Sequence, residues 1–87
     1  MKILVVDDEQ DVKTLFQQRF RKEIRNGELD FMFAFSGEEA IELAKTRAYD
    51  LVLLDMIMSP GINGIMTLEQ ILHLHPEQKA AIASGFS

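Results

Sequence analysis

An α/β fold built on a parallel sheet is predicted by three features of this 87-residue chain. Short runs of β-type composition alternate with amphipathic helical segments, giving the order β-α-β-α-β-α-β, and that alternation makes the strands parallel. The runs Ile3-Leu4-Val5-Val6 and Leu51-Val52-Leu53-Leu54 are apolar at every position, as strands covered on both faces are. Each run also closes on acid, Asp7-Asp8 in the first case and Asp55 in the second. Side by side, the two strands gather three carboxylates at their carboxyl ends, where open α/β sheets place the ligand crevice. Such a cluster is costly, because two unit charges about 4 Å apart repel by roughly 4 kcal/mol at an effective dielectric near 20. It implies a bound cation or a pair of acids sharing a proton.

Lys2 to Val6 reads as a buried strand, short, β-branched and apolar. A helix is expected from about Glu9 to Arg25, with Val12, Leu15, Phe16, Phe20 and Ile24 on one face. Asp8 suits its N-cap, Glu9 and Asp11 favour its positive end, and Asn26-Gly27 gives a left-handed exit. The basic stretch Arg19 to Arg25 reads as the solvated side of this helix. Leu29 to Phe35 is a second strand, with Phe31, Phe33 and Phe35 on one side as core. Ser36-Gly37-Glu38-Glu39 has capping-box spacing and opens a helix to about Arg47. Leu51 to Leu54 is the third strand, and Met56 to Gly64 a loop broken by Pro60, Gly61 and Gly64. Met66 to Leu74 reads as a helix with Leu68, Ile71 and Leu72 inward, stopped by Pro76. His73 and His75 are expected in solvent, and Lys79 to Ser84 is a short fourth strand.

Composition bounds the rest. With 47% apolar and 26% charged residues the chain is one small globular domain, residues 1–87. A net charge of −5 argues against nucleic acid or an anionic membrane as partner. The absence of cysteine excludes disulfides and thiolate metal sites. No segment is long and apolar enough for a signal-peptide core or a membrane span, so a cytoplasmic location is expected.

Ile3-Leu4-Val5-Val6-Asp7-Asp8-Glu9, Asp50-Leu51-Val52-Leu53-Leu54-Asp55, Met58, Pro60, Gly64 and Lys79-Ala80-Ala81-Ile82-Ala83-Ser84-Gly85 together resemble the receiver domain of bacterial response regulators. The resemblance runs the length of the chain. It implies a flavodoxin-like three-layer fold, here a (βα)3β unit with strand order 2-1-3-4. It also implies that Asp55 is the phosphoacceptor of a two-component phosphorelay, phosphorylated from a sensor histidine kinase or a histidine phosphotransfer protein. Mg²⁺ would be bound directly by Asp8 and Asp55, largely through water by Asp7, and by the backbone carbonyl of Ile57. Hard oxygen ligands suit that ion, which keeps several of its waters. Ser84 would donate its hydroxyl to a phosphoryl oxygen and act in the switch. The resemblance implies a signalling phosphoprotein rather than a turnover enzyme.

Two departures from the family pattern bear on these expectations. Ser59 reads as an insertion between the phosphoacceptor and Pro60, reshaping the loop while leaving Ile57 in place. Family members also continue beyond a fourth strand into a helix, a fifth strand and a final helix, so the domain is expected to be C-terminally incomplete. The fifth-strand lysine that contacts the phosphoryl group has no counterpart in this chain, and Lys79 lies at the wrong end of the fourth strand to replace it. Without a last helix, one side of Leu51 to Leu54 should be uncovered and the fourth strand should be an open edge, which predicts a homo-oligomer through that face.

An alternative reading is a truncated or engineered receiver fragment that no longer signals and serves as an oligomerising or interaction module. A third reading, a Mg²⁺-dependent phosphohydrolase with an aspartate nucleophile, is disfavoured. Met56 and Ile57 follow Asp55, where such an enzyme needs an acid two residues on.

Overall fold

The computed structural model describes residues 1–55 and 64–83. The elements in chain order are β1 (Lys2–Val6), α1 (Asp11–Arg19), α2 (Arg21–Arg25), β2 (Asp30–Ala34), α3 (Gly37–Thr46), β3 (Leu51–Asp55), α4 (Gly64–Leu74) and β4 (Ala80–Ala83). All strand pairings are parallel and the sheet order is β2-β1-β3-β4, as expected.

The alternation of side chains splits the core in two. Leu4, Val6, Ala34, Val52 and Leu54 face α3 and α4, where Ala40, Ala44 and Ile71 close over them. Ile3 and Val5 face the other way, under Val12 and Phe16, with Phe31, Phe33, Leu51 and Leu53 packed at the margin. One helical layer is therefore α1 and α2, the other α3 and α4. That division follows from right-handed crossovers on a sheet of this order. Val52 and Leu54 are fully buried, whereas Leu51 and Leu53 are only half-buried, which identifies the less covered side of β3.

Several expectations need correction. The single helix from Glu9 to Arg25 is two helices, interrupted at Phe20 (φ −109°, ψ 23°). The hydrogen-bond ladder persists across the break, from Phe20 N–H to Phe16 C=O and from Ile24 N–H to Phe20 C=O. Tertiary packing favours the offset, since the Phe20 ring lies against both Phe16 and Phe31. Asp8 is not the N-cap. The helix begins later, after Gln10, because Asp7 takes the Glu9 N–H. Leu15 is 47% exposed rather than buried with its predicted face. Gly64 starts α4 instead of ending a loop. His75 is half-buried, its Nε2 bonded to the Ala44 carbonyl at 2.6 Å, while His73 is exposed as expected.

Other local readings hold. Gly27 takes a left-handed φ of 77°, and the N–H groups of Gly27 and Glu28 reach back to Ile24 and Glu23 in a Schellman closure. Ser36 Oγ accepts the Glu39 N–H at 3.1 Å, while Glu39 Oε1 accepts the Phe35 N–H at 2.9 Å, one residue upstream of the expected box partner.

Candidate functional site

β1 and β3 are neighbours in register, Val6 beside Leu54, so Asp7 and Asp55 stand together at the carboxyl edge of the sheet. The Asp7 N–H donates to the Ala34 carbonyl at 3.0 Å, which ties the end of β1 to β2. One carboxylate oxygen of Asp7 accepts the Glu9 N–H at 2.9 Å, an Asx-type turn that carries the chain past Asp8 toward α1. The ligand atoms of Asp7, Asp8 and Asp55 all lie within 4.8 Å of one another. Asp7 is 3% exposed and Asp55 8%, so two of the three carboxylates are taken largely out of water.

Burial pushes the Asp7 carboxyl above its ordinary value of 3.8, the Glu9 N–H opposes that rise, and the nearby charges of Asp55 and Asp8 add to it. The side chain of Asp55 beside it raises the carboxyl further. Sharing a proton is one resolution of the repulsion; a divalent cation is the other. The donor set is three hard carboxylates with no histidine or cysteine, which fits Mg²⁺ or Ca²⁺ rather than zinc.

The structure thus brings Asp7, Asp8 and Asp55 together. Ile57 and Ser84 lie outside the described residues, as do Met58 and Pro60. Lys79 is at the far end: its carbonyl accepts the Val52 N–H near the start of β3, away from Asp55. Sequence reasoning missed the Asp7–Glu9 turn, which an acid closing a strand two residues before a helical segment could have signalled. It also missed the Ala34 carbonyl, for which the sequence carries no signal.

The chain matches the response regulator receiver domain family over residues 3–87. It belongs to that family. Among curated relatives, the alkaline phosphatase synthesis transcriptional regulatory protein PhoP of Bacillus subtilis is 43% identical over 70 residues, covering 80% of this chain and 27% of the relative. Sporulation initiation phosphotransferase F of the same organism is 39% identical over 85 residues, 98% of this chain and 64% of the relative. The receiver therefore spans less than two thirds of either protein. Among solved structures, the response regulator TrrA of Thermotoga maritima superposes with a TM-score of 0.81 at 32% identity, over 99% of this chain and 70% of that one. That structure is a complex with Mg²⁺ and BeF, and TrrA has also been solved in complex with the histidine kinase ThkA. Among the described residues, this receiver has no helix long and apolar enough to cross a membrane.

Proposed function

We propose that this receiver accepts a phosphoryl group on Asp55 from a phosphohistidine of a sensor kinase or histidine phosphotransfer protein. The observation that carries the reading is the convergence of three carboxylates at one sheet edge, with Asp55 closing the central strand β3. A carboxylate oxygen of Asp55 attacks phosphorus as the P–N bond to histidine breaks. The electron pair stays on the imidazole nitrogen, and the product is an acyl phosphate. Asp7 and Asp8, with Asp55 itself, would hold Mg²⁺, and the Ile57 carbonyl is assigned the remaining protein ligand. Bound there, Mg²⁺ neutralises the carboxylates and the charge developing on the phosphoryl oxygens. The Glu9 N–H fixes the orientation of Asp7. Ser84 is assigned the hydroxyl that reports the phosphoryl group to the surface. The chain acts as a single-turnover acceptor in the cytoplasm, not as a turnover enzyme. TrrA supports the metal and the kinase as partners by analogy.

The test is intact mass after incubation with a small-molecule phosphodonor, with and without Mg²⁺. The expected result is one phosphoryl adduct that requires Mg²⁺ and is absent from Asp55→Asn. An adduct that survives that substitution, or none from a folded sample, contradicts the assignment.

A second reading, self-association as an interaction module, has its own support. Leu15 is exposed on α1, Leu51 and Leu53 are half-buried, and Ala81, in register with Leu53 on that face, is exposed. Sedimentation of the chain at tens of micromolar, roughly where adhesive apolar surfaces associate, separates a dimer from the monomer that rejects it.

A further inference from the structure

The outer edge of β2, at the opposite side of the sheet from β4, combines three independent features. The first lies in its backbone. The Asp30 N–H donates to the Met1 carbonyl at 2.9 Å, and the Ala34 carbonyl accepts from the Asp7 N–H at 3.0 Å. The N–H and C=O of one strand residue point to the same side, and the side alternates along the strand. Asp30, Met32 and Ala34 therefore face β1, and the N–H and C=O of Phe31 and Phe33 point away from the sheet, where β2 has no neighbouring strand among the described residues. Nothing guards this edge from Phe31 to Ala34, neither proline nor a charged side chain.

The second feature is a cavity of about 280 Å³ beside that edge, floored by Ile24, Phe31 and Phe33 and rimmed by Gln17, Arg21 and Asp30. Asp30 is engaged by Lys2 at 3.0 Å, which leaves Arg21 as the uncompensated charge on the rim. The third feature is the charge around it. Arg21 on the rim and Arg25, one helical turn further along α2, are exposed, and neither makes an ion pair among the described residues, although the chain as a whole carries −5. A basic patch that is only a solvated helix face would need no apolar cavity and no open strand edge beside it.

We propose that the β2 edge docks an extended acidic segment of another protein. The segment adds a fifth strand through the outward groups of Phe31 and Phe33, sets one apolar side chain in the cavity, and places a carboxylate against Arg21. Residues two apart on an added strand share a face, so the apolar anchor and the carboxylate lie at positions i and i+2. A second copy of this chain is a poor occupant, because a two-fold contact brings each patch against itself and Arg21 against Arg21. The overall negative charge opposes nucleic acid and anionic membrane.

The probe is a fluorescein-labelled peptide, Thr-Glu-Thr-Phe-Thr-Glu-Thr-Ser, with a lysine-for-glutamate control. Anisotropy is followed in parallel with amide hydrogen exchange of the 87-residue chain. The expected result is saturable binding, weaker at high salt, with slowed exchange at the amides of Phe31 and Phe33. Arg21→Glu, an exposed position whose folding is checked by circular dichroism, should weaken it by about tenfold or more, as loss and reversal of a rim charge does. No saturation by ~1 mM (a binding free energy of only about −4 kcal/mol), or equal binding of the lysine peptide, overturns the proposal. So does binding that leaves the Phe31 and Phe33 amides unchanged. Protection of those amides that rises with protein concentration alone would assign the edge to a second copy and likewise overturn it.

Discussion

The two ends of the sheet treat their polar groups in opposite ways. At the amino ends of the strands, among the described residues, the buried side-chain polar atoms all have hydrogen-bond partners. Gln78 brackets Tyr49, accepting its N–H at 2.8 Å and donating to its carbonyl at 2.6 Å. Asp50 accepts the Lys2 N–H at 2.6 Å, Lys2 reaches Asp30, and His75 ties the end of α4 to Ala44 in α3. At the carboxyl ends, acid meets acid: Asp7, Asp8 and Asp55 converge, two of them buried. Asp50 precedes β3 and Asp55 ends it, yet one accepts a backbone N–H and the other meets a like-charged neighbour. The fold is stabilised at one end and forgoes stability at the other, and the phosphoacceptor chemistry we propose lies where stability is forgone.

The sharpest way to break this contrast is at the satisfied end. Gln78→Ala leaves the buried N–H and carbonyl of Tyr49 without partners, and we expect a loss of about 2–4 kcal/mol, the scale of two unmet hydrogen bonds. Urea unfolding reads it, and a loss below about 0.5 kcal/mol would mean that water replaces the amide freely.

Next in size is a change of opposite sign at the acidic end. Asp7→Asn should stabilise the metal-free protein at neutral pH by on the order of 1 kcal/mol, the usual scale of a point substitution. The sign follows from linkage. The folded-state carboxyl is raised above its unfolded value, so the folded protein binds more protons in the window above 3.8, and stability falls as pH rises through it. The gain from Asp7→Asn should accordingly shrink as pH is lowered toward 3.8. A destabilising Asp7→Asn at neutral pH would show that the Glu9 N–H contact outweighs burial and repulsion.

Two smaller effects calibrate the scale. Ser36→Ala removes the cap on α3 and should cost about 1 kcal/mol. Lys2→Met breaks a partly exposed ion pair with Asp30 and should cost no more than about 0.5 kcal/mol, fading with salt. If Lys2→Met costs more than Ser36→Ala, the amino end owes its stability to charge rather than to buried hydrogen bonds.

Much of this was legible in the sequence because it is local or strictly periodic. The apolar runs of β1 and β3, each ending in acid, locate the cluster without coordinates. The Ser36 cap and the Gly27 exit follow from residues within a few positions. What was hidden is long-range. Gln78 and Tyr49 are 29 residues apart, and nothing in a loop glutamine marks it as buried. The break at Phe20 has no glycine or proline to announce it, being set by the packing of its ring. Asp8 looked like a cap because the competing Asp7 turn is decided by where β1 ends in the sheet.

The measurement that tests the central claim most directly is thermal unfolding at neutral pH against Mg²⁺ concentration, for the wild-type chain and Asp7→Asn. Mg²⁺ should raise the wild-type midpoint progressively, by about 2.7 kcal/mol of stability at one hundred times its dissociation constant. Asp7→Asn should start higher and respond far less, so that the two curves cross. Parallel curves, or a wild-type midpoint indifferent to Mg²⁺, would contradict the account of the acidic end as a cation site held open at the expense of stability.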